Sequence, residues 1–233
     1  MFAQSLSLIT RNFWLFAVIV SIMAGFFVFE DVSGSEPSKG TYVTWIFLSF
    51  WMQNAVISGK EKISGDAGRP HGLWSFLWKN LVLIFSSMIL PVILPILLGF
   101  YNLIFIILVA ILFMAGAFAI LGTWPVSNAA RGDTSLAAAW RRGATGFWVR
   151  FFRLVAGYVV PAFLSLLLIV PLHPGAVGDN VGMTDPVVVR LLLFYLLTIS
   201  INLIGTVYVS VVIARSYLAG DQKSGQPAVG LAE

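Results

Sequence analysis

Residues 103–123 read LIFIILVAILFMAGAFAILGT, a run with no charged side chain anywhere in it. A helix rises about 1.5 Å per residue, so about 20 such residues cross the ~30 Å hydrocarbon layer of a bilayer. The run therefore reads as a transmembrane span. Five further segments read the same way: 13–29, 42–57, 80–98, 154–172 and 190–213.

Composition agrees. Of 233 residues, 59% are hydrophobic and 10% charged, with a mean hydropathy of +0.93. A soluble domain carries about 25% charge, so this chain lacks the polar residues to cover a surface in water. No stretch between the spans is long enough to bury a core of its own. The expected fold is one all-α integral membrane domain of six transmembrane helices. Residues 221–233 read as a flexible cytoplasmic tail.

Orientation follows from the basic residues, because Lys and Arg in short loops resist translocation. With the N-terminus inside, Arg11, Lys60, Lys62, Arg69, Lys79, Arg131, Arg141, Arg142, Arg150, Arg153, Arg215 and Lys223 all fall inside, and only Lys39 and Arg190 fall outside. The outer loops hold Glu30, Asp31, Glu36, Asp179 and Asp185. Both termini are expected in the cytoplasm. The first span runs directly into Glu30 and Asp31 without a small-residue cleavage site, which reads as a retained span rather than a signal peptide.

A phrase recurs before each inside-to-outside span: Arg11-Asn12-Phe13-Trp14, then Lys79-Asn80-Leu81, then Arg153-Leu154. The last two copies match further. Gly72-Leu73-Trp74 and Leu77-Trp78-Lys79 align with Gly146-Phe147-Trp148 and Phe151-Phe152-Arg153. Gly-Asp pairs follow the returning spans at Gly65-Asp66, Gly132-Asp133 and Gly220-Asp221. Three tandem helical hairpins are the expected arrangement, joined by interfacial helices. One such helix is expected from an N-cap at Asp133 up to the fifth span, with Leu136, Trp140, Phe147 and Phe151 on one face. Its cations and their neighbours, Arg131, Arg141, Arg142, Arg150 and Arg153, are candidate contacts for lipid headgroups, since anionic lipid attracts each by roughly 1 kcal/mol.

Chemistry finds little to work with. There is no cysteine, and His71 and His173 fall in loops on opposite faces, so neither a metal site nor a triad can assemble. All ten carboxylates read as loop or tail residues, none mid-span, which leaves no intramembrane proton carrier. No phosphate-binding loop or nucleophile elbow is present. No enzyme activity, cofactor or nucleic-acid partner is expected. The most polar span is the sixth, where Thr198, Asn202, Thr206 and Ser210 recur every four residues. That stripe is a candidate polar path, or else a helix-packing face of the kind that Ser, Thr and Asn commonly form between membrane helices. Gln53, Asn54, Ser86 and Ser87 carry the same two readings. Pro91, Pro95 and Pro161 interrupt the hydrogen-bond ladders of the third and fifth spans.

Six spans with both ends inside, the Arg11-Asn12-Phe13-Trp14 opening, and Ala129-Ala130-Arg131-Gly132-Asp133 followed by Ser135-Leu136 and Trp140-Arg141-Arg142 together resemble a bacterial inner-membrane superfamily. It contains the YciC-like proteins and the membrane region of some glycerophosphodiester phosphodiesterases. The resemblance implies a helical membrane fold, and the soluble domain that carries phosphodiesterase catalysis has no counterpart here. The expected role is a non-enzymatic accessory, scaffold or assembly factor that touches anionic lipid and either a membrane-protein partner or further copies of itself. The alternative is a small-molecule or lipid transporter or channel along the sixth span.

Overall fold

The computed structural model describes residues 1–34, 40–60, 63, 72–98, 102–130, 134–172 and 185–223, and all regular structure among them is helical. In chain order the helices are α1 (Phe2–Arg11), α2 (Phe13–Ser33), α3 (Gly40–Ile57), α4 (Leu73–Leu97), α5 (Leu103–Leu121), α6 (Thr123–Ala129), α7 (Leu136–Ala144), α8 (Phe147–Leu172) and α9 (Pro186–Lys223). Among the described residues, four apolar stretches are long enough to cross a membrane: Phe13–Ser33, Phe105–Asn128, Phe147–Ile169 and Pro186–Asp221. The described apolar parts of α3 and α4 are Val43–Ile57 and Leu73–Ile89, within helices of 18 and 25 residues. Large side chains such as Phe26, Phe85, Leu97, Phe163 and Leu166 are exposed around the perimeter. Such a surface suits hydrocarbon, whereas in water it would be a large unpartnered apolar patch.

The helices outrun the apolar segments that announce them. α4 and α8 each begin seven residues before the expected span, and α9 runs to Lys223 instead of ending at 213. Hydropathy marks the hydrocarbon layer, while a helix continues as long as its backbone bonds are made. Residues 221–223 are therefore helical rather than part of a tail. Glu30, Asp31 and Asp221 likewise lie on helices, not in loops. α1 and α6 are additional to the expected elements. α1 is amphipathic, with Ser5 and Leu8 buried and Phe2 and Leu6 exposed.

α9 is the hub. It packs against α2, α3 and α8, and its C-terminal part meets α1, α6 and α7. One core joins Phe16, Val20 and Met23 of α2, Leu48 and Met52 of α3, and Leu203, Val207 and Val211 of α9. A second joins Leu83, Ala115, Ala119 and Leu154 to Val209, Val212 and Tyr217 of α9. The expectation of three tandem hairpins is met in part. α4 pairs with α5 and α8 with α9, but α2 and α3 pack principally on α9.

The repeated phrase is structural, in a register that differs from the sequence alignment at its first copy. α2, α4 and α8 open on Phe13-Trp14, Leu73-Trp74 and Phe147-Trp148, so Asn12 corresponds to Gly72 and Gly146. Trp14, Trp74 and Trp148 are 80%, 81% and 66% exposed. Two residues further on, Phe16, Phe76 and Arg150 are buried, and four beyond those Val20, Asn80 and Leu154 are buried too. Gly72 and Gly146 both hold positive φ (85° and 74°), which lets the chain turn sharply into the helix where a side chain would be strained. At Gly72 a Cβ would also press on Asn128. That joint breaks the linking helix expected from Asp133 to the fifth span: α7 ends at Ala144, and Phe147 and Phe151 belong to α8. Its N-cap is Ser135, whose side chain accepts from the Ala138 amide (3.2 Å), and Asp133 lies outside the described residues.

Candidate functional site: the polar helix and the basic end

The polar stripe of α9 is divided between two neighbours. Steps of four residues advance about 40° around a helix, so Thr198 and Ser210 end up roughly 120° apart. Asn202 donates to Ser165 of α8 (3.1 Å) and to the Thr198 carbonyl (2.8 Å), and the Thr206 hydroxyl donates to the Asn202 carbonyl (2.9 Å). Ser210, on another side, meets Ser49 of α3 (2.9 Å), and the Gln53 amide donates to the same Ser49 hydroxyl (2.9 Å). Asn202 and Ser210 thus bond to neighbouring helices, while the Thr206 hydroxyl bonds within α9. Within this polar set, Thr198 Oγ1 and Gln53 Oε1 are buried without a hydrogen bond, the latter on a side chain only 1% exposed. Ser86 and Ser87 bond to carbonyls of their own helix.

Removing the Ser49–Ser210 contact should cost little. A double-mutant cycle on Ser49→Ala and Ser210→Ala, read by SDS-titrated unfolding in mixed micelles, should return a coupling of about 0.6 kcal/mol, the ordinary value for hydrogen bonds between membrane helices. A coupling above about 2 kcal/mol would show that the contact is more than packing.

The start of α2, the end of α3, the starts of α4 and α8, the end of α9, and α1, α6 and α7 gather at one end of the bundle. The ties are explicit: Arg215 to Gln4 (2.8 Å), Asn12 to the Ile63 amide (2.9 Å), Lys79 to Asn128 (3.3 Å) and Arg142 over the Tyr217 ring (5.0 Å). Arg11, Lys60, Lys79, Arg141, Arg142, Arg150, Arg153 and Arg215 therefore share that end. The opposite end carries Glu30, Asp31 and Asp185 together with Arg190. There the Tyr195 hydroxyl donates to Asp31 (2.5 Å), and its ring stacks on Phe27.

The basic residues divide by direction. Arg142 is 9% exposed, its stem against Gly220, its guanidinium over Tyr217 and its Nε toward the Thr123 hydroxyl (3.5 Å). Arg150 is 7% exposed and donates to the carbonyls of Arg142, Gly143 and Thr145, closing the C-terminus of α7. Both therefore turn into the protein, away from any headgroup layer. Arg141 and Arg153 are exposed, and Arg131 lies outside the described residues. Lys79 is also turned inward. It donates to Asn128 Oδ1 and to the Thr134 carbonyl (3.3 Å each) and sits 5.0 Å from the Trp124 ring centre, whose Nε1 donates to that same carbonyl (3.0 Å).

Sequence reasoning missed α1, Ser49, Ser165, the Lys79–Asn128–Trp124 group and the Asp31–Tyr195 bond. α1 was visible in the spacing of Phe2, Ser5, Leu6, Leu8 and Ile9. Ser49 stands one turn before Gln53, a weaker signal. The Asp31–Tyr195 pairing spans 164 residues and has no local signature. Among the described residues no group of three or more His, Cys, Asp or Glu is placed to hold a metal.

Compared with known proteins, the chain matches no family model, no curated protein and no solved structure.

Proposed function

We propose that this chain is a six-span protein of the bacterial inner membrane, both termini cytoplasmic, acting without chemistry of its own as an accessory, scaffold or assembly factor. Kinship with the YciC-like group is part of the proposal and rests on the sequence phrases quoted above. The observation that carries the role is how the most polar helix uses its side chains: Asn202 is bonded to α8 and Ser210 to α3, which fits a helix whose polarity serves packing. The gathering of the basic side chains at one end supports the orientation. Affinity isolation of the full chain from native membranes in mild detergent should bring down a stoichiometric membrane-protein companion or a homo-oligomer. Isolation as a lone monomer that changes the flux of a solute in proteoliposomes would overturn the role.

A second reading, a small-molecule or lipid transporter or channel along α9, draws on the unbonded, buried Thr198 Oγ1 and Gln53 Oε1. The two readings separate on hydration. The chain has no cysteine, so Asn202→Cys and Thr206→Cys report cleanly. Under packing, a membrane-impermeant maleimide should label them at least tenfold more slowly than a cysteine placed at Lys60. Rapid labelling at both sites would favour a wet path and weigh against the accessory role.

A further inference from the structure

We propose that the corner where the first turn of α1 meets the start of α8 and the end of α9 binds an anionic phospholipid, with its phosphate held by Arg153 and Arg215. The inference rests on the membrane reading above and deepens it by naming a discrete lipid site. Arg153 reaches Met1 Sδ (3.3 Å) and Arg215 reaches Gln4 Oε1 (2.8 Å), so both guanidinium groups converge on residues one turn apart on α1. Both side chains are exposed. Their partners, a thioether and a neutral amide, hold them in place without neutralising them. Among the described residues no carboxylate contacts either. The first turn of α1 also contains no acidic residue.

The three buried cations at this end are engaged differently. Lys79, Arg142 and Arg150 are directed to carbonyls, side-chain oxygens and rings within the protein. Arg153 and Arg215, by contrast, are exposed and reach uncharged partners. Beside Arg153, the same stretch of α8 exposes Val149 and Phe152, and α1 exposes Phe2. A cationic pair set against exposed apolar side chains matches an amphiphile with an anionic head and acyl chains. An acidic protein segment would use the cations but leave Val149, Phe152 and Phe2 unmatched.

The test uses the full chain in nanodiscs of equal parts phosphatidylcholine and phosphatidylglycerol, transferred to detergent, with retained lipid counted by native mass spectrometry. The wild type should retain phosphatidylglycerol severalfold over phosphatidylcholine. Arg153→Gln and Arg215→Gln should each lower that preference roughly fivefold, the factor equivalent to about 1 kcal/mol per cation near an anionic surface. Arg153→Lys and Arg215→Lys should keep most of it. Arg190→Gln removes the same charge at the opposite end and should change nothing. An equal fall in Arg190→Gln, or unchanged retention in the double Arg153→Gln/Arg215→Gln variant, would overturn the site while leaving the membrane reading intact. Retention unchanged together with loss of a co-isolated protein would assign the corner to a protein interface and overturn the lipid proposal. Release of the chain from membranes by alkali without detergent would overturn the membrane reading itself.

Discussion

Gly205→Leu should separate α8 from α9 and destabilise the protein by about 3 kcal/mol, the upper end of the range for overpacking. At Gly205 a Cβ would stand 2.5 Å from Pro161 Cγ and 2.8 Å from the Gly157 carbonyl oxygen. The reciprocal position is equally close, since a Cβ at Gly157 would stand 2.7 Å from Val209 Cγ2 and 3.0 Å from Tyr208 Cδ1. A proline ring and a backbone carbonyl have no rotamer by which to yield, so the helices must part. Parting them also stretches the Asn202–Ser165 hydrogen bond. Because α9 is packed on α2 and α3 as well, the loss spreads through both cores. SDS-titrated unfolding should show the shift, with Gly205→Ala intermediate. A Gly205→Leu protein with the wild-type midpoint would mean that the close approach of α8 and α9 does not exist.

The second large effect is expected at Arg150. The last carbonyls of a helix have no partner inside it, and at the end of α7 one buried guanidinium serves three residues, Arg142, Gly143 and Thr145. Its charge also lies favourably at the negative end of the helix dipole. Arg150→Met keeps the length of the stem and removes every donor, leaving buried carbonyls unsatisfied at about 1–3 kcal/mol each where water cannot replace the bond. We expect a loss of about 3 kcal/mol and a rise in amide hydrogen exchange concentrated in residues 136–145. Arg150→Lys, with a charge but no fork, should recover part of it. Arg153→Met, three residues later and exposed, should leave both readouts unchanged. If Arg150→Met behaves like Arg153→Met and lowers lipid retention instead, Arg150 faces headgroups and its inward placement is wrong.

This contrast shows where the sequence stops being informative. Arg141, Arg142, Arg150 and Arg153 look alike in the chain: four arginines between an amphipathic segment and an apolar one. Positive residues near a membrane boundary are expected whatever they contact. What separates them is the joint at Thr145-Gly146. Without it, a continuous helix would carry Phe147 and Phe151 on the same face as Leu136 and Trp140. With it, α8 starts afresh and swings Arg150 back beneath α7. A glycine in a boundary segment has many uses, and only the observed φ of 74° shows that this one makes the turn.

The exposed tryptophans were more legible. Trp14, Trp74 and Trp148 all belong to the phrase that recurs at the spans, and the helix starts place all three at the second helical position. Their correspondence was misaligned at the first copy because Arg11-Asn12 resembles Lys79-Asn80. Asn80 is in fact mid-helix, bonded to the Phe76 carbonyl (2.9 Å), whereas Asn12 sits between two helices and bonds both the Leu8 carbonyl and the Ile63 amide. Similar residues thus meet different backbone needs.

By itself the sequence determined that the chain is helical and apolar enough for a bilayer, because uncharged runs of this length leave the backbone no way to satisfy its polar groups in lipid except by helix formation. It also announced which helix would carry the polar contacts. Only the tertiary structure decided which helix stands at the centre, which arginines turn inward, and which serine each polar side chain of α9 meets. Those choices depend on distances between residues far apart along the chain, such as Ser49 with Ser210 and Gln4 with Arg215, and no local periodicity encodes them.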